Sequence, residues 1–129
     1  MTNQEAKSEV FNLLKPLLRE FSDVMSIEKD ESDNYYLNTL KAAENGKPNF
    51  FGAVQIKKNY VSFHLMPIYV NPSLLDSLSE SLKKRMQGKS CFNFKHVDQD
   101  LFLELQALTR ASYEFYVEDG RALGNHNAS

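Results

Sequence analysis

Val10, Leu13, Leu14, Leu17, Leu18 and Phe21 recur at steps of three and four, which predicts a helix over residues 5–21 with one apolar stripe. Pro16 lies inside that pattern, lacks an N–H and crowds the carbonyl four residues back, so a kink near Asn12 or a later helix start is expected. Val24, Met25 and Ile27 support a short strand, and the charged residues 28–34 read as a solvated loop. A second strand is expected at Tyr35-Tyr36-Leu37-Asn38-Thr39, and residues 44–49 supply turn formers. Two apolar runs, 50–57 and 60–70, then meet at Lys58-Asn59 as a hairpin.

With Lys58 and Asn59 in the loop, Ile56 pairs with Val61, Gln55 with Ser62, Val54 with Phe63, Ala53 with His64 and Gly52 with Leu65. This register sorts the side chains by chemistry. Ile56, Val61, Val54, Phe63 and Leu65 share one face, whereas Gln55, Ser62, Ala53, His64 and Tyr60 share the other, and a slip by one residue would mix them. Pro67 and Pro72 bracket the strand end, and Asn71-Pro72 predicts entry into a helix carrying Leu74, Leu75, Leu78 and Leu82, with an interruption at Ser79-Glu80-Ser81 and an end by Gly88.

Cys91-Phe92-Asn93-Phe94-Lys95 alternates at period two, with Phe92 and Phe94 directed to the core. A last helix is predicted from Asp98, with Leu101, Leu105, Leu108, Ser112 and Phe115 as its stripe and Gly120 as its stop. Together these elements predict an α+β fold: an antiparallel sheet with N- and C-terminal helices packed on one face, a two-layer sandwich.

The chain has 129 residues, which suits a single domain over residues 1–123 with a disordered polar tail at 124–129. Fifteen basic and 17 acidic residues leave a net charge of −2, so the broad positive field that attracts nucleic acid or anionic lipid is missing. Cys91 is the only cysteine, which rules out an intrachain disulfide and suits a reducing compartment. No apolar run approaches the length of a membrane span and the start lacks a signal-peptide pattern, so a cytoplasmic location is expected.

Candidate chemistry gathers on the face opposite Val61 and Phe63, where Tyr60, Ser62, His64, Cys91, Asn93 and Lys95 define a candidate ligand-binding set. A His64 imidazolium beside Cys91 would lower the thiol pKa, giving a small Cys/His enzyme that labels readily near neutral pH. The plainer alternative makes Cys91 a small buried hydrophobe and His64 an ordinary sheet residue. One histidine and one cysteine fall short of the ligands a metal site normally uses. Phe51, Tyr60 and Met66 are placed on the same outer face, as a ligand groove or a homodimer surface, unless the Leu74–Leu82 helix covers them.

The basic cluster Lys83, Lys84, Arg85, Lys89 and Lys95 reads as a solvated helix end, with an anionic ligand as the alternative. Gly88-Lys89-Ser90 has the ending of a phosphate-binding loop, but the position five before Gly88 is Lys83 and the context runs from helix to strand, so that motif is rejected.

Across residues 36–116, and specifically at Phe51-Gly52-Ala53-Val54-Gln55-Ile56, Tyr60-Val61-Ser62-Phe63-His64-Leu65-Met66-Pro67 and residues 85–94, the chain resembles the YdhG-like family of small bacterial proteins, mostly of unknown function. The resemblance implies a frataxin-like fold and, since some members are described as intracellular iron chaperones, a possible iron cargo. By that likeness iron would be associated with carboxylates on the first helix and adjoining strand edge, here Glu20, Asp23 and Glu28. Lys7, Lys15 and Arg19 interrupt this acidic ridge.

Overall fold

The computed structural model describes residues 2–123, so the tail expected to be disordered lies outside the described residues. Helix α1 (Asn3–Arg19) begins earlier than its apolar stripe predicts. The Thr2 side chain accepts the Glu5 backbone N–H at 3.1 Å, satisfying one of the N–H groups the helix start leaves orphaned, and donates its hydroxyl to the Glu5 carboxylate at 3.0 Å. The helix continues through Pro16, with Val10, Leu14, Leu17 and Leu18 buried on both sides of it. Burial of that stripe outweighs the roughly 3 kcal/mol that an interior proline costs.

Strand β1 (Met25–Glu31) takes in most of the charged stretch expected to be a loop, and pairs antiparallel with β2 (Asn34–Ala42) through a turn at Ser32-Asp33. Met25 at its start is buried in the core, whereas the side chains from Ile27 onward stay in water, so the charges do not oppose the ladder; Asp30 meets Lys15 of α1 at 2.8 Å. Next come β3 (Pro48–Ile56) and β4 (Val61–Leu65), joined in the register expected from Ile56↔Val61 to Gly52↔Leu65. The hairpin is anchored to α1 by Lys7, whose buried side chain donates to the carbonyls of Lys57 and Lys58 at 3.0 and 2.8 Å.

The strand predicted to reach Val70 stops at Leu65. Helix α2 (Met66–Val70) takes over with Pro67 in its first turn, where a missing N–H is harmless. The single leucine-bearing helix predicted after Pro72 is broken into a tight turn at Pro72–Leu75 and a short α3 (Glu80–Lys83). Ser79 caps α3 by accepting the Leu82 N–H, and its own N–H and hydroxyl both donate to Glu104. A two-residue strand β5 (Met86–Gln87), unanticipated in the sequence, turns at Gly88, where φ is +77°, into β6 (Cys91–Phe94).

Helix α4 (Gln99–Glu118) starts at the Asp98 cap and ends at Gly120, as predicted, although Tyr116 rather than Phe115 completes its fully buried stripe. The sheet order is β1-β2-β3-β4-β6-β5, antiparallel throughout. Helix α1 packs on β3 and β4 and against α4, while α2, α3 and the Pro72–Leu75 turn pack on α4. The result is a two-layer α+β sandwich whose core lies between the helices and the Val54, Val61, Phe63, Leu65, Phe92 and Phe94 side of the sheet. Among the described residues, no helix is long and apolar enough to cross a membrane.

One irregularity alters the face assignment. Leu37 pairs with Gly52 but Asn38 pairs with Phe50, so Phe51 is an extra residue on β3. The bulge turns Phe51 into the core, fully buried against Phe21, Tyr116 and Tyr113 at centroid distances of 5.9, 5.8 and 6.4 Å. Strict alternation places Phe51 on the outer face; the bulge exchanges it with Phe50. Tyr116 secures this arrangement by donating its hydroxyl to the Phe50 carbonyl at 2.9 Å, and burial pushes the phenol up to about 12.

Candidate functional site

With the helices gathered on one layer, the outer sheet face presents two cross-strand rows. The first runs Asn34, Gln55, Ser62, Asn93 and the second Tyr36, Ala53, His64, Cys91. Both follow from the β2–β3, β3–β4 and β4–β6 registers together, because directly paired residues share a face. His64 and Cys91 are therefore cross-strand neighbours pointing away from the helical layer, each half-buried among side chains of its own face.

The second row is the aromatic one. Phe50 stacks on Tyr36 at a centroid distance of 4.6 Å and meets His64 edge-on at 4.9 Å, and Ala53, paired between Tyr36 and His64, is buried beneath them. His64 Nε2 lies 2.7 Å from the hydroxyl of Ser90, a buried residue in the β5–β6 turn. In the first row the Gln55 amide donates to Asn34 at 3.2 Å.

Electrostatics here favour neutral groups. Burial lowers the His64 pKa below its ordinary 6.5, so the ring is uncharged at neutral pH. Burial pushes the Cys91 thiol up, and the Ser62 hydrogen bond and the Lys57 charge pull it back only in part. A neutral imidazole beside a protonated thiol is not the activated pair that nucleophilic chemistry requires.

The His64 shift has a consequence for stability. Its unfolded imidazole protonates first as pH falls, so this contribution is whole above about pH 6.5 and is lost progressively below it, toward the depressed folded value. Denaturant unfolding is expected to show stability declining from about pH 7 to pH 5, with a shallower decline in His64→Gln. Identical slopes in the two proteins would place the effect elsewhere.

The remaining candidate residues separate. Tyr60 and Lys95 line a cleft beside the β5–β6 hairpin, joined to the first row through Asn93. The expected outer patch of Phe51, Tyr60 and Met66 does not form, because Phe51 is in the core and Met66 packs against it from the start of α2. The leucine-bearing segment does not cover this face either, since its pieces pack on α4.

The acidic residues implied by the family likeness do not fit an iron site. Glu20 is held by Arg110, whose Nε and Nη2 donate to its carboxylate at 2.9 and 3.0 Å; Asp23 sits in a tight turn after α1; Glu28 accepts from Ser26 at 2.8 Å on β1. Among the described residues no three His, Cys, Asp or Glu side chains converge as a metal site needs.

Tyr36, Phe50 and Ser90 are missing from the sequence-derived set. Period-two alternation at Tyr35-Tyr36-Leu37 already signals Tyr36. Phe50 depends on the bulge, and Ser90 lies in the glycine turn that resembled a phosphate loop. No family model, curated protein or solved structure matches the chain.

Proposed function

We propose that this chain is a small binding domain without catalytic activity, whose ligand is an uncharged, flat small molecule laid against Tyr36, Phe50 and His64 on the outer sheet face. The contiguous trio of rings on this face carries this reading. Aromatic rings offer large contact area at little conformational cost, and the row of amides and hydroxyls alongside supplies directional hydrogen bonds. The neutral imidazole and the protonated thiol favour an uncharged ligand over nucleophilic chemistry.

Both terminal helices on one face of an antiparallel sheet support reading the chain as YdhG-like with frataxin-like layers. Iron has no part in this reading, since among the described residues no three His, Cys, Asp or Glu side chains are gathered to hold it.

An NMR titration with nicotinamide, an uncharged heteroaromatic amide, tests it. Shifts are expected at Tyr36, Phe50 and His64, and Phe50→Ala is expected to weaken binding about three- to tenfold, the worth of one aromatic contact. Shifts confined to other surfaces, or an unchanged affinity in Phe50→Ala, would overturn the proposal.

A further inference from the structure

Five cations lie between residues 83 and 95, and the fold treats them unequally. Lys83 faces Glu80 at 3.8 Å, and Lys89 lies over the Tyr69 ring at 5.9 Å. Lys84, Arg85 and Lys95 converge instead on a cleft of about 300 Å³ beside the β5–β6 hairpin. No carboxylate lines that cleft, and among the described residues none of the three cations has an ion-pair partner. On a chain whose net charge is −2, this is a local concentration of uncompensated positive charge.

The scaffold beneath it is fixed. The Asn93 N–H donates to the Arg85 carbonyl at 2.8 Å, the Arg85 N–H donates to Leu82 at 2.9 Å, and Met86 pairs with Phe92. Arg85 is thereby anchored next to Asn93, whose side chain lines the cleft together with Tyr60 and Met86.

We infer that this cleft binds a phosphomonoester. Three cations suit a dianion with three equivalent oxygens, with Arg85 able to donate two parallel hydrogen bonds and the lysines acting as point charges. Asn93 adds a neutral donor, while the Tyr60 ring and the Met86 side chain give the organic part of the ester a surface to lie on. The cleft volume sits at the lower end of small-molecule sites, and its half-open lining is a local patch of a few residues rather than a track, which separates it from a nucleic-acid surface. This inference goes beyond the aromatic face and does not rest on it.

Calorimetric titration with phenyl phosphate at low ionic strength tests the site, with inorganic phosphate and benzoate as parallel probes. The expected result is preferential binding of phenyl phosphate, weakened tenfold or more in the double variant Lys84→Gln/Arg85→Gln. The double variant Lys83→Gln/Lys89→Gln makes the same charge change outside the cleft and is expected to alter affinity less than twofold. Equal loss in both double variants would overturn the site in favour of diffuse electrostatics. Equal affinity for inorganic phosphate would overturn the ester in favour of the free ion, and equal affinity for benzoate would overturn phosphate recognition.

Discussion

Phe51→Ala is expected to destabilise the fold by about 3–5 kcal/mol, whereas Phe50→Ala is expected to lose only on the order of 1 kcal/mol. The two side chains are chemically identical and adjacent, so the contrast isolates the bulge. Phe51 is enclosed by Phe21, Tyr113 and Tyr116, and its removal leaves a cavity between the sheet and α4. Phe50 is only partly buried, and its ring gives up contacts with Tyr36 and His64. Denaturant midpoints for the two variants provide the measurement, at an unchanged dependence on denaturant. With a total stability of roughly 5–15 kcal/mol for a domain, the larger loss would leave Phe51→Ala only marginally folded. A severe effect at Phe50 with a mild one at Phe51 would show the bulge to be misplaced.

Gly52→Ala is the second large effect, about 1–3 kcal/mol and toward the upper end of that range. A Cβ at Gly52 would lie 2.9 Å from the His64 carbonyl oxygen, 2.9 Å from Leu18 Cδ2 and 3.3 Å from Leu65 Cδ2. The leucine methyls can give way, but the carbonyl belongs to the backbone of β4 and moves only with its strand. The glycine therefore permits the close approach of α1 to a central strand and the close spacing of β3 and β4 at His64. A displaced His64 ring resonance should accompany the lost stability. Gly52→Ala that is neutral or stabilising, as happens where the backbone has room, would argue against so tight an approach.

Much of the architecture was legible in the residues. The β3–β4 register emerged because a period-two pattern with large residues on one face tolerates no slip, and the Lys58-Asn59 turn fixed where pairing begins. Alternation in Cys91-Phe92-Asn93-Phe94 assigned Cys91 to the face of His64, but that the two stand opposite each other rests on the β4–β6 pairing, which the sequence left conditional. The terminal helices were equally plain from their stripes.

What escaped depends on tertiary context. A bulge leaves no mark in an apolar run such as Phe50-Phe51, where either ring is a credible core residue until α4 supplies Tyr116 to hold the Phe50 carbonyl. The break-up of the Leu74–Leu82 segment turns on Glu104, far along the chain, capturing Ser79. Strand β5 is two residues long and has no periodicity to read. The cations at 83–95 looked like one solvated run because sequence cannot tell which of them a nearby carboxylate or ring will occupy.

The charged character of β1 bears on how copies of this chain meet. An outermost strand offers unpaired N–H and C=O groups as a template for a foreign strand, and long apolar margins invite runaway association. Here one margin presents Glu28, Lys29, Asp30 and Glu31 to water, and the other, β5, is only two residues long. Neither border is hospitable to growth of the sheet, so crowding in a concentrated solution should not draw these molecules into fibrous stacks.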